Sequence, residues 1–253
     1  MVTRNSYILL RNEKEVVAIA EEKEEIYMMV LTYALEPQWW QSEPIFRSRV
    51  VTRLKQLMRF DAKEPFFRRS YKSLRHDCDL IFWLASRDVE ALADFKLAIN
   101  KSVLGFAQPS FSMLSLYEDS PYLKPKMKLS ETLNGEPLKY FIAYPMSKDP
   151  EWYLLDFEER KKLIAEHIGI ARAHPEAKGI RSYTTYSFGL GDQEFVVLYE
   201  TDSLIAWSHV TQKLREAKAR KWITEEAPIF VGITSDLSFL NPGSESSRQE
   251  NIV

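Results

Sequence analysis

The chain has 253 residues, 45% of them hydrophobic and 28% charged, with a net charge of −2 and a pI near 6.2. That length builds one large domain or two of about 125 residues, and the balanced charge excludes the basic excess of a nucleic-acid or membrane-surface binder. The single cysteine, Cys78, excludes an internal disulfide and any Cys/His zinc spacing, which fits a reducing cytoplasm.

At the N-terminus, Tyr7-Ile8-Leu9-Leu10 is the only apolar run before charges return, too short for a signal peptide. No later run approaches the roughly 20 apolar residues of a membrane span. Residues 1–26 read as an edge strand over Ser6–Leu10 and a short acidic helix.

From there the chain repeats itself. At an offset of 113 residues, Tyr27-Met28-Met29-Val30-Leu31 falls on Tyr140-Phe141-Ile142-Ala143-Tyr144, Trp39-Trp40 on Trp152-Tyr153, and Arg47 on Arg160. At an offset of 115, the acidic turn and strand Asp77–Trp83 fall on Asp192–Leu198. Each such strand leads to an aspartate (Asp88, Asp202), an amphipathic helix and a further strand, Phe111–Leu116 or Pro228–Ile233.

Each half therefore reads strand, helix, strand, strand, helix, strand. This is the ferredoxin-like βαββαβ order. The fold class is α+β, with two such repeats whose sheets either face each other or join into a barrel. The halves are 1–117 and 140–240. A connector rich in Pro, Lys and Ser spans 118–139, and a polar tail expected to be disordered spans 241–253.

The halves differ where chemistry could enter. Tyr144 lies opposite Leu31, Lys148 opposite Leu35 and His167 opposite Leu54. The helix predicted over Phe157–His174, with Asp156 as N-cap, carries Leu163, Ile164, Ile170 and Ala171 on one face, and His167 falls on that face. Such an imidazole is either a buried histidine bonded to a backbone carbonyl or an axial ligand to a haem iron. Taken singly, Tyr144 and Trp152 read as core aromatics and Lys148 as a solvated turn residue. Their joint occurrence is what points to a site.

The segments YPMSK…WY (144–153), EERKKLIAEH (158–167), SFGLGDQEFVVLYETD (187–202) and PIFVG (228–232) resemble the chlorite dismutase-like superfamily, and within it the coproheme decarboxylase branch. The resemblance is specific over 137–232 and architectural before that. It implies a dimeric α+β barrel within one chain and a homo-oligomer, typically a pentamer.

It also implies site roles: Tyr144 as the oxidisable tyrosine, Lys148 as a propionate contact, His167 as the axial iron ligand and Trp152 as a pocket aromatic. The implied reaction is peroxide-dependent decarboxylation of two propionates of iron coproporphyrin III to give haem b, with hydrogen peroxide as oxidant.

Three positions depart from the family pattern. Ser182, beside Arg181, stands where chlorite dismutases carry an arginine and many coproheme decarboxylases a glutamine. A neutral serine argues against chlorite dismutation. Arg220 replaces a decarboxylase serine and remains a candidate propionate contact. The acidic residue that orients the axial histidine falls on Lys218, with Glu216 nearby. Lys124, Lys126 and Lys128 are the connector's cations. Two other functions stay open: a haem-binding protein or weak peroxidase without decarboxylation, and a non-haem oligomeric scaffold.

Overall fold

The computed structural model describes residues 24–59, 63–123 and 127–241. The expected strand Ser6–Leu10, Lys124, Lys126 and all of the tail but Asn241 lie outside them.

In chain order the elements are β1 (Ile26–Leu35), α1 (Pro37–Gln41), α2 (Pro44–Met58), β2 (Phe67–Ser73), β3 (Leu80–Ser86), α3 (Val89–Val103), β4 (Ala107–Tyr117) and α4 (Leu129–Thr132). There follow β5 (Tyr140–Lys148), α5 (Glu151–Leu154), α6 (Phe157–Ala173), β6 (Arg181–Tyr186), β7 (Phe195–Thr201), α7 (Leu204–Leu214), β8 (Ile223–Glu225) and β9 (Phe230–Thr234). The 113-residue offset recurs between the starts of α2 and α6, and the 115-residue offset spans the whole of β3 and β7.

Antiparallel pairing links β4-β1-β3-β2 on one side and β9-β5-β7-β6 on the other. Contacts of β2 with β9 and of β4 with β6 close the two sets into an eight-stranded barrel, while β8 adds a short ladder to the end of β5. Closure leaves no long free edge. Pro145, which has no N–H to donate, sits in β5 between the end of the β9 ladder at Ala143 and the start of the β8 ladder at Ser147.

Alternation along each strand divides the side chains between two faces. Met28, Val30, Ile81, Trp83, Phe141, Ala143, Val196 and Leu198 fill the barrel interior. The outer face of the first half, with Leu31, Leu80, Phe82 and Leu84, packs against Val51 and Leu54 of α2 and Leu92, Phe95 and Ile99 of α3. Asp88 caps α3 by accepting from Glu90 N–H. In the second half the cap is Ser203, accepting from Ala206 N–H, and Asp202 instead accepts from Lys139 N–H. α6 begins after Asp156 as expected, but the carboxylate makes no capping bond.

The connector is more ordered than its composition suggests. Leu133, just after α4, is buried in the barrel core. Arg69 donates to the Gly135 carbonyl and pairs with the fully buried Glu200. Arg181 donates to the Glu136 carbonyl and also reaches Glu200, which accepts from Tyr183 Oη as well. Arg181 thus points to the barrel side of β6, away from Ser182.

Candidate functional site

The two halves pack their helices differently. α3 buries five side chains, whereas α6 buries none. Among the described residues the second half forms no helix-layer cluster like that of the first. Leu31 and Leu54 fill the first layer; Tyr144 and His167 stand at the equivalent positions of the second. No side chain of α6 is fully buried, so the helix side of the second half is less tightly packed than that of the first. A cavity of about 450 Å³, lined by Trp207, Ser208, Thr211, Gln212 and Arg215, opens beside α7.

Tyr144 projects outward from β5, its neighbours Phe141 and Ala143 having turned inward. Its ring stacks on Tyr199 of β7, with centroids 6.2 Å apart. Burial, then the Tyr199 hydroxyl and the Glu226 charge, hold the phenol well above its ordinary value. The Tyr144 side chain is therefore a neutral phenol at all physiological pH.

Lys148, at the end of β5, is buried, and its ammonium lies over the Trp152 ring at 3.3 Å from the centroid. Trp152 is held in turn by Trp222, 5.6 Å away. Burial depresses Lys148 to about 8; Glu194 opposes that shift and Arg160 adds to it. Glu194 is committed elsewhere, accepting from Lys148 N–H at 2.9 Å and from Tyr153 Oη. Among the described residues Lys148 forms no ion pair. It is a half-desolvated cation without a carboxylate, the state of a group that awaits one.

His167 lies on the inner face of α6. Burial first, then the Lys148 and Arg220 charges, push its pKa below the ordinary histidine value, so the imidazole is neutral and able to ligate a metal. Glu226 and Glu166 oppose that shift. Lys218 and Glu216 do not orient the ring: Lys218 is exposed and paired with Glu166, and Glu216 is paired with Lys213. Among the described residues no cluster of three or more His, Cys, Asp and Glu could hold a metal ion, so His167 would be a lone protein ligand.

Arg220, in a short 3₁₀ turn over 218–222, pairs with Glu226, which also takes Arg215 at 2.8 Å. Burial raises the Glu226 carboxyl, but the bonds from both guanidiniums outweigh it and keep the group ionised. Glu226 was not singled out in the sequence because it falls in a charged turn without periodicity. Tyr199 was missed because it sits within an ordinary strand run. Ser182 is exposed on β6, on the same face as Tyr144 and directly across from Tyr199. The structure thus brings Tyr144, Lys148, Trp152, His167, Ser182 and Arg220 to one side of the second half.

A family model described as chlorite dismutase matches residues 47–235. The chain belongs to the chlorite dismutase family. It is 33% identical over 165 residues to a coproheme decarboxylase from Mycolicibacterium smegmatis, covering 63% of this chain and 68% of that protein. It is 29% identical over 177 residues to a coproheme decarboxylase from Staphylococcus carnosus, covering 64% and 70%. Among solved structures, a putative chlorite dismutase matches at 47% identity with a TM-score of 0.80, over 87% of this chain and 99% of that one. A variant chlorite dismutase from Candidatus Nitrospira defluvii matches at 25% identity with a TM-score of 0.74, over 88% and 95%. The family's fold is thus the barrel described above. Among the described residues no helix is long and apolar enough to cross a membrane.

Proposed function

We propose that this protein binds iron coproporphyrin III between the second-half sheet and its helices and removes CO2 from two propionates, with hydrogen peroxide as oxidant, to give haem b. The observation that carries this reading is the less tightly packed layer over the second half, with Tyr144, Lys148 and His167 turned into it. Names of relatives add support, since two curated relatives are coproheme decarboxylases. The matching offsets and strand orders support a duplicated βαββαβ unit whose second copy acquired the site. The exposed Trp40, Ile45, Phe46 and Leu154 support a homo-oligomer, which the family resemblance makes a pentamer.

The residues present fit a carboxylated metalloporphyrin. Beside these residues, on α7, the Thr211 hydroxyl is buried without a protein partner among the described residues. A neutral imidazole, a free ammonium and a phenol are the donor set that iron, a propionate and a one-electron oxidation require. When bound, the iron porphyrin supplies the oxidising power that peroxide delivers.

The protein's part is position and charge. His167 Nε2 or Nδ1 offers a neutral lone pair. Lys148 holds one propionate by a charge-assisted hydrogen bond, its ammonium backed by the Trp152 face. Tyr144 gives up an electron and its proton together, because burial forbids the phenolate. The phenoxyl takes a hydrogen atom from the propionate β-carbon and returns to phenol. Loss of a second electron and CO2 leaves the vinyl group. Each round removes two electrons, matching one peroxide reduced to water. Arg220 is a further propionate contact only if it leaves Glu226.

A second reading, a haem-binding protein or weak peroxidase, is favoured by the neutral Ser182 and by the engagement of Arg220 with Glu226. Reconstitution with iron coproporphyrin III, peroxide titration and mass analysis of the products separate the two. Stepwise loss of two CO2 units, abolished by Tyr144→Phe without loss of the Soret band, is the expected result. A Soret shift with no mass loss selects the second reading, and no Soret shift at all selects a non-haem scaffold.

A further inference from the structure

Three leucines of the first half are replaced by three oxidisable aromatics in the second. Leu31, Leu84 and Leu92 are buried packing in the first helix layer. Tyr144 stands 113 residues after Leu31, and Tyr199 and Trp207 stand 115 residues after Leu84 and Leu92. Two phenols and an indole are not needed to build such a layer, since leucines build it in the first copy.

The three rings touch in sequence. In the β5–β7 ladder Tyr144 pairs with Val197 and Tyr199 with Ile142, so the two tyrosines are diagonal neighbours on the outer face. Their rings stack with centroids 6.2 Å apart and planes at 22°. Trp207 of α7 packs on Tyr199 from the helix side, with centroids 4.2 Å apart. Trp207 is half-buried, and Ser208 and His209 beside it are exposed. The line of rings thus runs from the site to the protein surface at α7. Other aromatics nearby are placed differently. Trp83, Phe141 and Tyr183 fill the barrel interior, on the opposite face of the sheet. Trp152 contacts Trp222 at 5.6 Å. Its equivalent in the first half is the buried Trp39, so that tryptophan belongs to the scaffold of both copies.

We propose that Tyr144, Tyr199 and Trp207 form an electron relay between the site and the surface at α7, where Trp207 oxidises a small one-electron reductant. The proposal rests on the reading that Tyr144 is oxidised, with peroxide as the oxidant. One electron leaves Trp207, crosses the Tyr199 ring and reduces the Tyr144 phenoxyl, which takes a proton from water to become the phenol again. The oxidised indole releases its Nε1 proton to water at the surface. The reductant then returns one electron to the indole, which recovers its proton from water. Each passage oxidises one reductant molecule by one electron, and two passages match one peroxide reduced to water.

The first test uses ligand-free protein. Position 144 carries 3-aminotyrosine, a ring more easily oxidised than tyrosine or tryptophan. A ruthenium photo-oxidant is attached through Ser208→Cys, the native Cys78 being buried. Flash oxidation at α7 should produce the aminotyrosyl radical. Tyr199→Leu, which copies Leu84, and Trp207→Leu, which copies Leu92, should slow its appearance by about tenfold or more. Tyr199→Phe, which keeps the stack but is harder to oxidise, should slow it too. Unchanged rates in these variants, or no aminotyrosyl radical without them, overturn the relay. The second test loads haem b, so that no decarboxylation competes, adds one equivalent of peroxide and maps oxidised residues by peptide mass. Trp207 should be modified in the parent, spared in Tyr199→Leu and protected by ferrocyanide as the probe reductant. Modification of Trp222 in its place, or equal modification of Trp207 in Tyr199→Leu, overturns the exit at α7. Modification of Trp207 that persists in Tyr144→Phe sinks the reading of Tyr144 as the oxidised residue, while the flash rates decide the relay by themselves.

Discussion

The Lys148 ammonium lies 3.3 Å from the centre of the Trp152 ring, in a buried position with no carboxylate paired to it among the described residues. The contact replaces part of the hydration that burial removes. It does not replace all of it, because the group is still depressed to about 8.

That depression has a sign in stability. The folded state holds the Lys148 proton less tightly than the unfolded chain, so between about 8 and 10.5 the unfolded chain binds more protons and stability rises with pH. Parent protein minus Lys148→Met, followed by denaturant unfolding, isolates this group. The difference should move in favour of the parent by up to about 3 kcal/mol across that window. A flat difference would mean that Lys148 is not desolvated. Binding of a carboxylated porphyrin should run the other way, weakening as pH passes 8 in the parent but not in Lys148→Arg.

His167 has the same sign in a lower pH window. Its folded value lies below 6.5, chiefly through burial, so the unfolded chain binds the proton first as pH falls. Stability from this group is full above 6.5 and is lost below it. His167→Leu, which copies Leu54 of the first half, should remove the acid-side loss and raise stability at pH 5 by about 1 kcal/mol. The same variant should show no axial-ligand shift of the Soret band. A wild-type spectrum in His167→Leu would exclude His167 as the ligand.

The contrast between the halves also predicts unequal costs of truncation. Leu54 is 1% exposed and packed on all sides. Leu54→Ala should cost about 2–5 kcal/mol. Leu163→Ala on α6, facing the less tightly packed layer, should cost under ~1.5 kcal/mol in ligand-free protein because part of its surface is already without partners. Thermal unfolding of both variants is the measurement. Equal losses would mean that the second layer is as well packed as the first.

Much of this was legible before the structure. The repeated strand and aromatic landmarks placed β1 against β5 and α2 against α6, because packing a helix on a sheet imposes the same spacing in both copies. The leucine-for-polar exchanges at Tyr144, Lys148 and His167 marked a candidate site for the same reason, since they are the places where the second copy loses the apolar groups of the first. What could not be read was contact between distant segments. Glu226 gains meaning only when Arg215 and Arg220 fold around it, and Tyr199 only when Trp207 closes over it. Arg181 stands beside Ser182 in the sequence, but strand alternation turns it toward Glu200 on the barrel side. The connector looked formless because its order comes from Arg69, more than sixty residues earlier.

That last interaction carries a further prediction. Glu200 is fully buried and accepts from Arg69, Arg181 and Tyr183, while the two arginines also hold carbonyls of the connector. Glu200→Gln keeps the shape but leaves the Arg69 guanidinium, itself nearly buried, without its counter-charge. Breaking one partner of such a pair costs about 3–5 kcal/mol, and the loss should be local first. Amide exchange in Leu133–Glu136 should quicken before the strands β1, β3 and β7 loosen, because the arginines that donate to those carbonyls lose the carboxylate that fixes them while the strand ladders remain. Arg69→Met with Glu200→Leu removes both charges together. The double variant should recover most of the global stability but not the slow exchange of the connector, since apolar side chains cannot donate to the Gly135 carbonyl. Full recovery of both would show that the connector is held by Leu133 burial alone.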